Sequence, residues 1–181
     1  LGILAMRLAS SDVLPFRFGS YAGALEIHLQ SIERQVVRIN RKASVATDAE
    51  SSDTLIVVFS PVETAIETFG KAGAELDAAV DQLIARQDSD TAAAVNDPLM
   101  LLERSFLSDE GLPARPWFRH LLFAPGLTTG YGAWPFPELA EAIENRDPEL
   151  FSRGVARVVD VLEQATRELE AATALAAGQD G

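Results

Sequence analysis

The sequence predicts an all-α fold, an up-and-down bundle of the four-helix type carrying one long, ordered loop rich in aromatic residues, proline and glycine. Three observations lead there. Apolar residues recur at alternating spacings of three and four along most of the chain, the signature of helices that bury one stripe. Serine–proline and aspartate–proline pairs stand where helices would begin. The stretch from Asn96 to Pro137 gathers both tryptophans and six of the nine prolines, a composition that breaks helices without resembling disorder.

Taken in order, Ala22, Leu25, Leu29, Ile32, Val36, Ile39 and Ala43 form one stripe of a helix over about Ser20 to Ser44. A polar segment, Ala46 to Asp53, follows. Thr54 to Phe59 (TLIVVF) has strand-like β-branched content, yet Leu55 and Phe59 keep the helical register, and the segment is expected to be helix with a kink. Ser60-Pro61-Val62-Glu63 reads as a capping box with proline in the first turn. It opens a helix whose seam is Val62, Ile66, Phe69, Gly73, Leu76, Val80 and Leu83, ending near Ala85. Asp97-Pro98 and Asp147-Pro148 are expected to open two more helices. The last carries Phe151, Val155, Val158, Leu162, Ala165, Leu169, Ala172 and Ala176, pairs Glu163 with Arg167 on its outer face, and stops at Gly178. Small residues such as Gly73 and Ala165 would let neighbouring helices approach closely. These stripes make the bundle core, and part of the apolar surface could also serve a second copy or another domain. No internal repeat is visible.

Composition narrows the function. A chain of 181 residues with 48% apolar content can bury one sizeable core. The net charge of -12 argues against nucleic acid as a partner, since binding a phosphate backbone needs a basic face. With no cysteine and only His28 and His120, thiolate metal sites are excluded and a catalytic metal centre would lack ligands. Missing cysteines also leave the compartment open, a periplasmic or secreted parent being compatible with them. LGILAMRLA at the start has no basic leader and is too short to span a bilayer, so no membrane contact is expected from it. Because Leu1 is not an initiator methionine, a piece of a longer polypeptide is expected.

The Asn96–Pro137 stretch is longer than a compact domain keeps without purpose, connections beyond about 12 to 15 residues being uncommon unless functional or disordered. An aromatic-rich loop of this kind should be ordered and used. Within it, NDPLMLLERSFL, GLPARPWFRH and LLFAP resemble the C-terminal dimerisation domain shared by glutamate carboxypeptidase II and the transferrin receptor, more closely the carboxypeptidase branch. The residues that carry the resemblance are Asn96, Asp97, Leu99, Met100, Leu102, Glu103, Arg104 and Phe106, then Gly111, Leu112, Pro113, Arg115, Pro116, Trp117, Phe118, Arg119, His120, Phe123, Ala124 and Pro125. RLASSDVLPF, Arg7 to Phe16, is similar to the segment that leads from the family's peptidase domain into the bundle, which would make 1–19 a lead-in and 20–181 the dimerisation domain.

The resemblance implies a homodimerising domain without catalytic residues of its own, taken from a larger exopeptidase whose two zinc ions and glutamate base lie in an upstream peptidase domain. It further implies that the loop from Ala124 to Pro137 reaches the peptide substrate in that domain's pocket. In glutamate-specific members an adjacent lysine and tyrosine meet the substrate's C-terminal carboxylate; Tyr131 matches the tyrosine, while Gly130 stands at the lysine position. Loss of that charge, with Trp134 in place of a polar residue, points to a more apolar pocket. Tyr131 can equally be an aromatic that packs the loop on the bundle. A transferrin receptor-like binding protein without metals is the alternative parent. The alanine- and arginine-rich composition is of a kind expected in a bacterial chain.

The remaining polar residues point to structure. Arg119-His120 lies among Phe118, Leu121 and Leu122, where a histidine is expected to be a hydrogen-bonded structural residue, and His28 beside the first seam is read the same way. Glu103-Arg104 and Asp109-Glu110 read as surface or packing ion pairs. Gly126 to Gly132 lacks the context of a phosphate loop.

Overall fold

The computed structural model describes residues 2–46, 54–113, 115–126 and 132–178. Its helices are α1 (Gly2–Ala9), α2 (Phe18–Ala46), α3 (Ser60–Arg86), α4 (Ser89–Leu101), α5 (Pro137–Asn145) and α6 (Pro148–Ala177). A 3-10 turn over Leu102–Phe106 continues α4, and the strands β1 (Phe123–Pro125) and β2 (Ala133–Pro135) form an antiparallel pair with Ala124 opposite Trp134. The architecture is the expected all-α bundle, with this small sheet on its flank.

Helix α3 lies between α2 and α6 and packs on both. Each presents its predicted seam: Leu25, Leu29 and Ile32 from α2, Ile66, Phe69, Leu76 and Leu83 from α3, and Val158, Leu162, Ala165 and Leu169 from α6 are all buried. Gly73 is where α2 starts across α3, and a Cβ there would stand 2.7 Å from the Phe18 carbonyl carbon. The first amides of α2 are satisfied from α3: Phe18 and Gly19 N–H donate to the two Asp77 carboxylate oxygens at 3.3 and 3.4 Å. An anion at a helix N-terminus also complements the helix dipole. At the far end, Gly178 takes a left-handed conformation and caps α6, and Arg86 of α3 donates to the Ala176 carbonyl.

Three expectations are corrected. Thr54 to Phe59 belongs to no helix or strand. The cause is Asn40, whose side-chain amide both accepts from Leu55 N–H and donates to its carbonyl at 2.9 Å, a pairing that a helix over those residues could not offer. Ser60 does not cap α3; Phe59 holds that position with no side-chain bond, its carbonyl accepting from Val62 and Glu63. Helix α4 begins at Ser89, well before Pro98, and is capped by Asp88, which accepts from the Thr91 N–H and hydroxyl at 3.1 and 2.6 Å. Asp97 and Pro98 thus sit inside α4, where the Ala92-Ala93-Ala94 run sustains helix ahead of a proline placed close to the end. Beyond the long connection lies α5, a short helix with Glu138 and Glu141 buried on a surface otherwise apolar. Asp147 caps α6 as expected, accepting from Leu150 N–H at 2.8 Å.

Candidate functional site

The described residues 102–113, 115–126 and 132–136 form a folded platform built from short-range turns and held to the helices by charge. Leu102 and Phe106 of the 3-10 turn are buried, and Phe106 lies within ring contact of Tyr21, Phe69 and His120. His120 is a clip. Its Nδ1 accepts from the Leu122 and Phe123 amides at 3.2 and 3.1 Å, which leaves Nε2 to carry the hydrogen and donate to Glu103 at 3.0 Å. Both ring nitrogens are thus committed to structure, as the sequence predicts for this histidine. His28 meets the Phe123 ring edge-on at 5.7 Å.

Between these lies a tight turn. Gly111 adopts φ +67, and a Cβ there would overlap the backbone of Pro116, whose Cα stands 2.6 Å away. Leu112 N–H donates to the Phe118 carbonyl at 2.8 Å, and Leu112 pairs with Arg115 across an isolated bridge. Arg119 donates to the Ser108 carbonyl and pairs with Asp109 at the exposed rim. The acidic pairs therefore find partners across the loop: Glu103 meets His120 and Asp109 meets Arg119.

Two ion pairs, each on a buried glutamate, anchor the platform. Arg115, 3% exposed, donates one guanidinium nitrogen to the Pro125 carbonyl and another to Glu141 of α5, with the Phe118 ring 5.5 Å from its centre. Arg157 of α6 donates to Glu138 at 2.7 Å, to the Ser108 hydroxyl at 2.9 Å and to the Gly111 carbonyl at 2.6 Å. Burial pushes both carboxyls above the ordinary glutamate value; the neighbouring arginines pull them back without cancelling it. Glu138, Glu141 and Arg157 are the residues that sequence reasoning missed. The available signal was two glutamates three apart in a short apolar stretch, which places both on one helix face.

The stem of the hairpin is closed by Gly126 N–H donating to the Gly132 carbonyl at 3.2 Å. Gly130 and Tyr131, the expected substrate contacts, lie outside the described residues. Of the residues that carry the family resemblance, Asn96 ties the lead-in to α4 beside the buried Val13. Its side chain accepts from Leu14 N–H at 2.7 Å and donates to the Asp12 carbonyl at 2.8 Å. Leu99, Leu112 and Ala124 are core residues, whereas Asp97 and Arg104 are exposed and, with Glu168, line a groove of about 440 Å³. Pro113 and Pro116 shape the turn, and Pro125 supplies the carbonyl that Arg115 holds. Among the described residues no three histidine, aspartate or glutamate side chains come together as a metal site, so the groups present do not fit a zinc ion. No helix among them is long and apolar enough to cross a membrane.

A sequence model of the transferrin receptor-like dimerisation domain matches residues 57–170, which takes in α3, α4, this platform, α5 and most of α6. The chain belongs to that family. Similar proteins include a probable glutamate carboxypeptidase of Arabidopsis thaliana, 31% identical over 145 residues that make up 80% of this chain and 18% of the relative. The aminopeptidase NAALADL1 of Rattus norvegicus is 30% identical over 142 residues, 78% of this chain and 17% of the relative. A protein of Schizosaccharomyces pombe named as an inactive zinc metalloprotease is 34% identical over 74 residues, 41% of this chain and 9% of its own length. The chain thus spans less than a quarter of the length of the relatives it matches. As a transferrin receptor-like dimerisation domain, it derives its motif from physical necessity: the glycine of GLPARP is the left-handed turn, and the arginine is the buried fork.

Proposed function

We propose that this chain is the pairing and pocket-completing domain of a glutamate carboxypeptidase-like zinc peptidase. It joins two subunits as a homodimer and presents the hairpin loop to peptide substrate in a peptidase domain elsewhere in the parent protein. The chain hydrolyses no peptide by itself in this reading, and the two zinc ions belong to the peptidase domain. The observation that carries it is the family match over a segment that is built as a braced hairpin, with a charged foundation far heavier than a mere connection requires.

A surface suited to pairing lies where α3 and α6 begin. In the segment ahead of α3 Leu55 is buried, while Ile56 and Val58 are 79% and 61% exposed. They flank an apolar groove of about 230 Å³ lined by Pro61, Pro148, Phe151 and Val155. A two-fold axis would bring this patch onto itself, removing exposed apolar area from both copies. The lead-in 1–19, with Ile3 and Met6 exposed on α1, suits packing against the upstream peptidase domain.

The loop contact is tested in the parent peptidase with Tyr131→Phe, which removes only the hydroxyl. Loss of one neutral hydrogen bond to substrate raises KM by roughly two- to tenfold with kcat retained. Gly130→Lys should then increase preference for a C-terminal glutamate. Unchanged KM for both folded variants would show that the loop does not read substrate. A second reading, an association module of a non-catalytic transferrin receptor-like protein, is favoured by the relative named as inactive. Paired metal ligands in the upstream polypeptide decide between the two.

A further inference from the structure

We infer that Arg115 is the positioning residue of the hairpin: by bridging the Pro125 carbonyl and the Glu141 carboxylate it fixes the β1–β2 stem against α5. The consequence for substrate rests on the reading that this loop meets the peptide; the mechanical role does not.

Stability alone does not account for a buried ion pair at this position. Arg115 and Glu141 are each 3% exposed, and well-packed apolar side chains of similar volume commonly stabilise a core as well as such a pair does. What the guanidinium adds is geometry. Its planar fork reaches two acceptors at a fixed mutual angle, which an ammonium cannot do. The Phe118 ring lies against its face at 5.5 Å, limiting rotation of that plane. Arg115 Nε is buried and finds no acceptor among the described residues, so the side chain is placed here at a cost in desolvation rather than at its own hydrogen-bonding optimum.

The two acceptors define what is held. Pro125 ends β1, and the next residue, Gly126, closes the stem on Gly132. Glu141 belongs to α5, which follows β2 directly and starts from Phe136, a buried residue in the left-handed region at φ 46. Phe136 N–H donates to the Leu122 carbonyl at 2.8 Å, joining the two strand bases. A bulky residue keeps that conformation only where its surroundings over-determine it. Arg115 thus couples the exit of β1 to the helix that fixes the exit of β2. The second pair provides a control within the same molecule: Arg157 also reaches α5, through Glu138, but its other bonds go to Ser108 and Gly111 and none goes to β1, as the Arg115 bond to Pro125 does.

The test compares Arg115→Lys with Arg157→Lys by amide hydrogen exchange on the 181-residue chain, read over 123–126 and 132–136 against the amides of α3 and α6. Arg115→Lys should speed exchange in the stem about tenfold or more while α3 and α6 stay protected, and Arg157→Lys should leave the stem at the wild-type rate. Stem exchange unchanged in Arg115→Lys, or accelerated as much in Arg157→Lys, overturns the assignment. If Arg115→Lys does not fold, Glu141→Gln loosens the same fork, and the contrast is read against Glu138→Gln with the same two outcomes. In the parent peptidase Arg115→Lys should also raise KM several-fold with kcat within twofold. Faster stem exchange with KM unchanged upholds the clamp and removes instead the proposal that the loop meets substrate.

Discussion

Arg157→Met should lower the unfolding free energy by about 3 to 5 kcal/mol at neutral pH, the cost of leaving a buried charge without its partner. Glu138 is 3% exposed, and Arg157 is its hydrogen-bonded cation. Burial already raises the Glu138 carboxyl; Arg157 and Arg153 from α6 hold it down, while Glu141 on α5 and Glu110 in the loop push it further up. Removing Arg157 raises it again. A carboxyl whose folded value lies above its unfolded one binds a proton preferentially in the folded state. Its contribution to stability is then fully present below the unfolded value and is lost as pH rises through the folded value. The variant should therefore be less destabilised, relative to the wild type, at pH 5 than at pH 7.5. Replacing both partners, Arg157→Met with Glu138→Leu, should recover most of the loss, because the orphaned charge is gone. Chemical denaturation at the two pH values measures all three outcomes.

Gly111→Ala should cost about 3 kcal/mol or more and release the turn. Two effects combine there: the left-handed φ of +67, which costs an L-residue about 1 to 2 kcal/mol, and a Cβ that would overlap the Pro116 backbone. A flexible side chain could move aside, but a backbone already hydrogen-bonded through Leu112 N–H to Phe118 cannot do so cheaply. The Gly111 carbonyl also accepts from Arg157, so a shift of the turn would disturb that ion pair as well. Thermal unfolding of Gly111→Ala should show a lower midpoint, whereas Gly2→Ala, where nothing stands within 4 Å, should not.

How much of this was legible in the sequence depended on how far each determinant lay along the chain. The seams of α2, α3 and α6 are periodic, and the Asp147 cap and Gly178 stop are local, so each was readable from its own neighbourhood. Thr54 to Phe59 was not, because its non-helical course is held by Asn40, fifteen positions from Leu55 in sequence. The start of α4 was misread because Asp97-Pro98 mimics a helix start, while the true cap is Asp88 with Thr91. Helix α5 escaped because its buried glutamates interrupt the apolar stripe, and the arginines that make them tolerable come from elsewhere in the chain. At the candidate site, Arg115 was visible only as a member of a family pattern, and His120 only as a structural histidine without its partners. Their roles as fork and clip appear once Pro125, Glu141 and the Leu122 and Phe123 amides are brought to them.

Whether this domain pairs with a second copy is tested most directly by sedimentation equilibrium of the 19.5 kDa chain across micromolar concentrations, alongside Ile56→Asp. A species of twice the chain mass is predicted, with a shift toward monomer when a charge is placed in the exposed apolar patch. A chain that stays monomeric throughout that range would contradict the pairing role, and a dimer indifferent to Ile56→Asp would contradict the surface assigned to it.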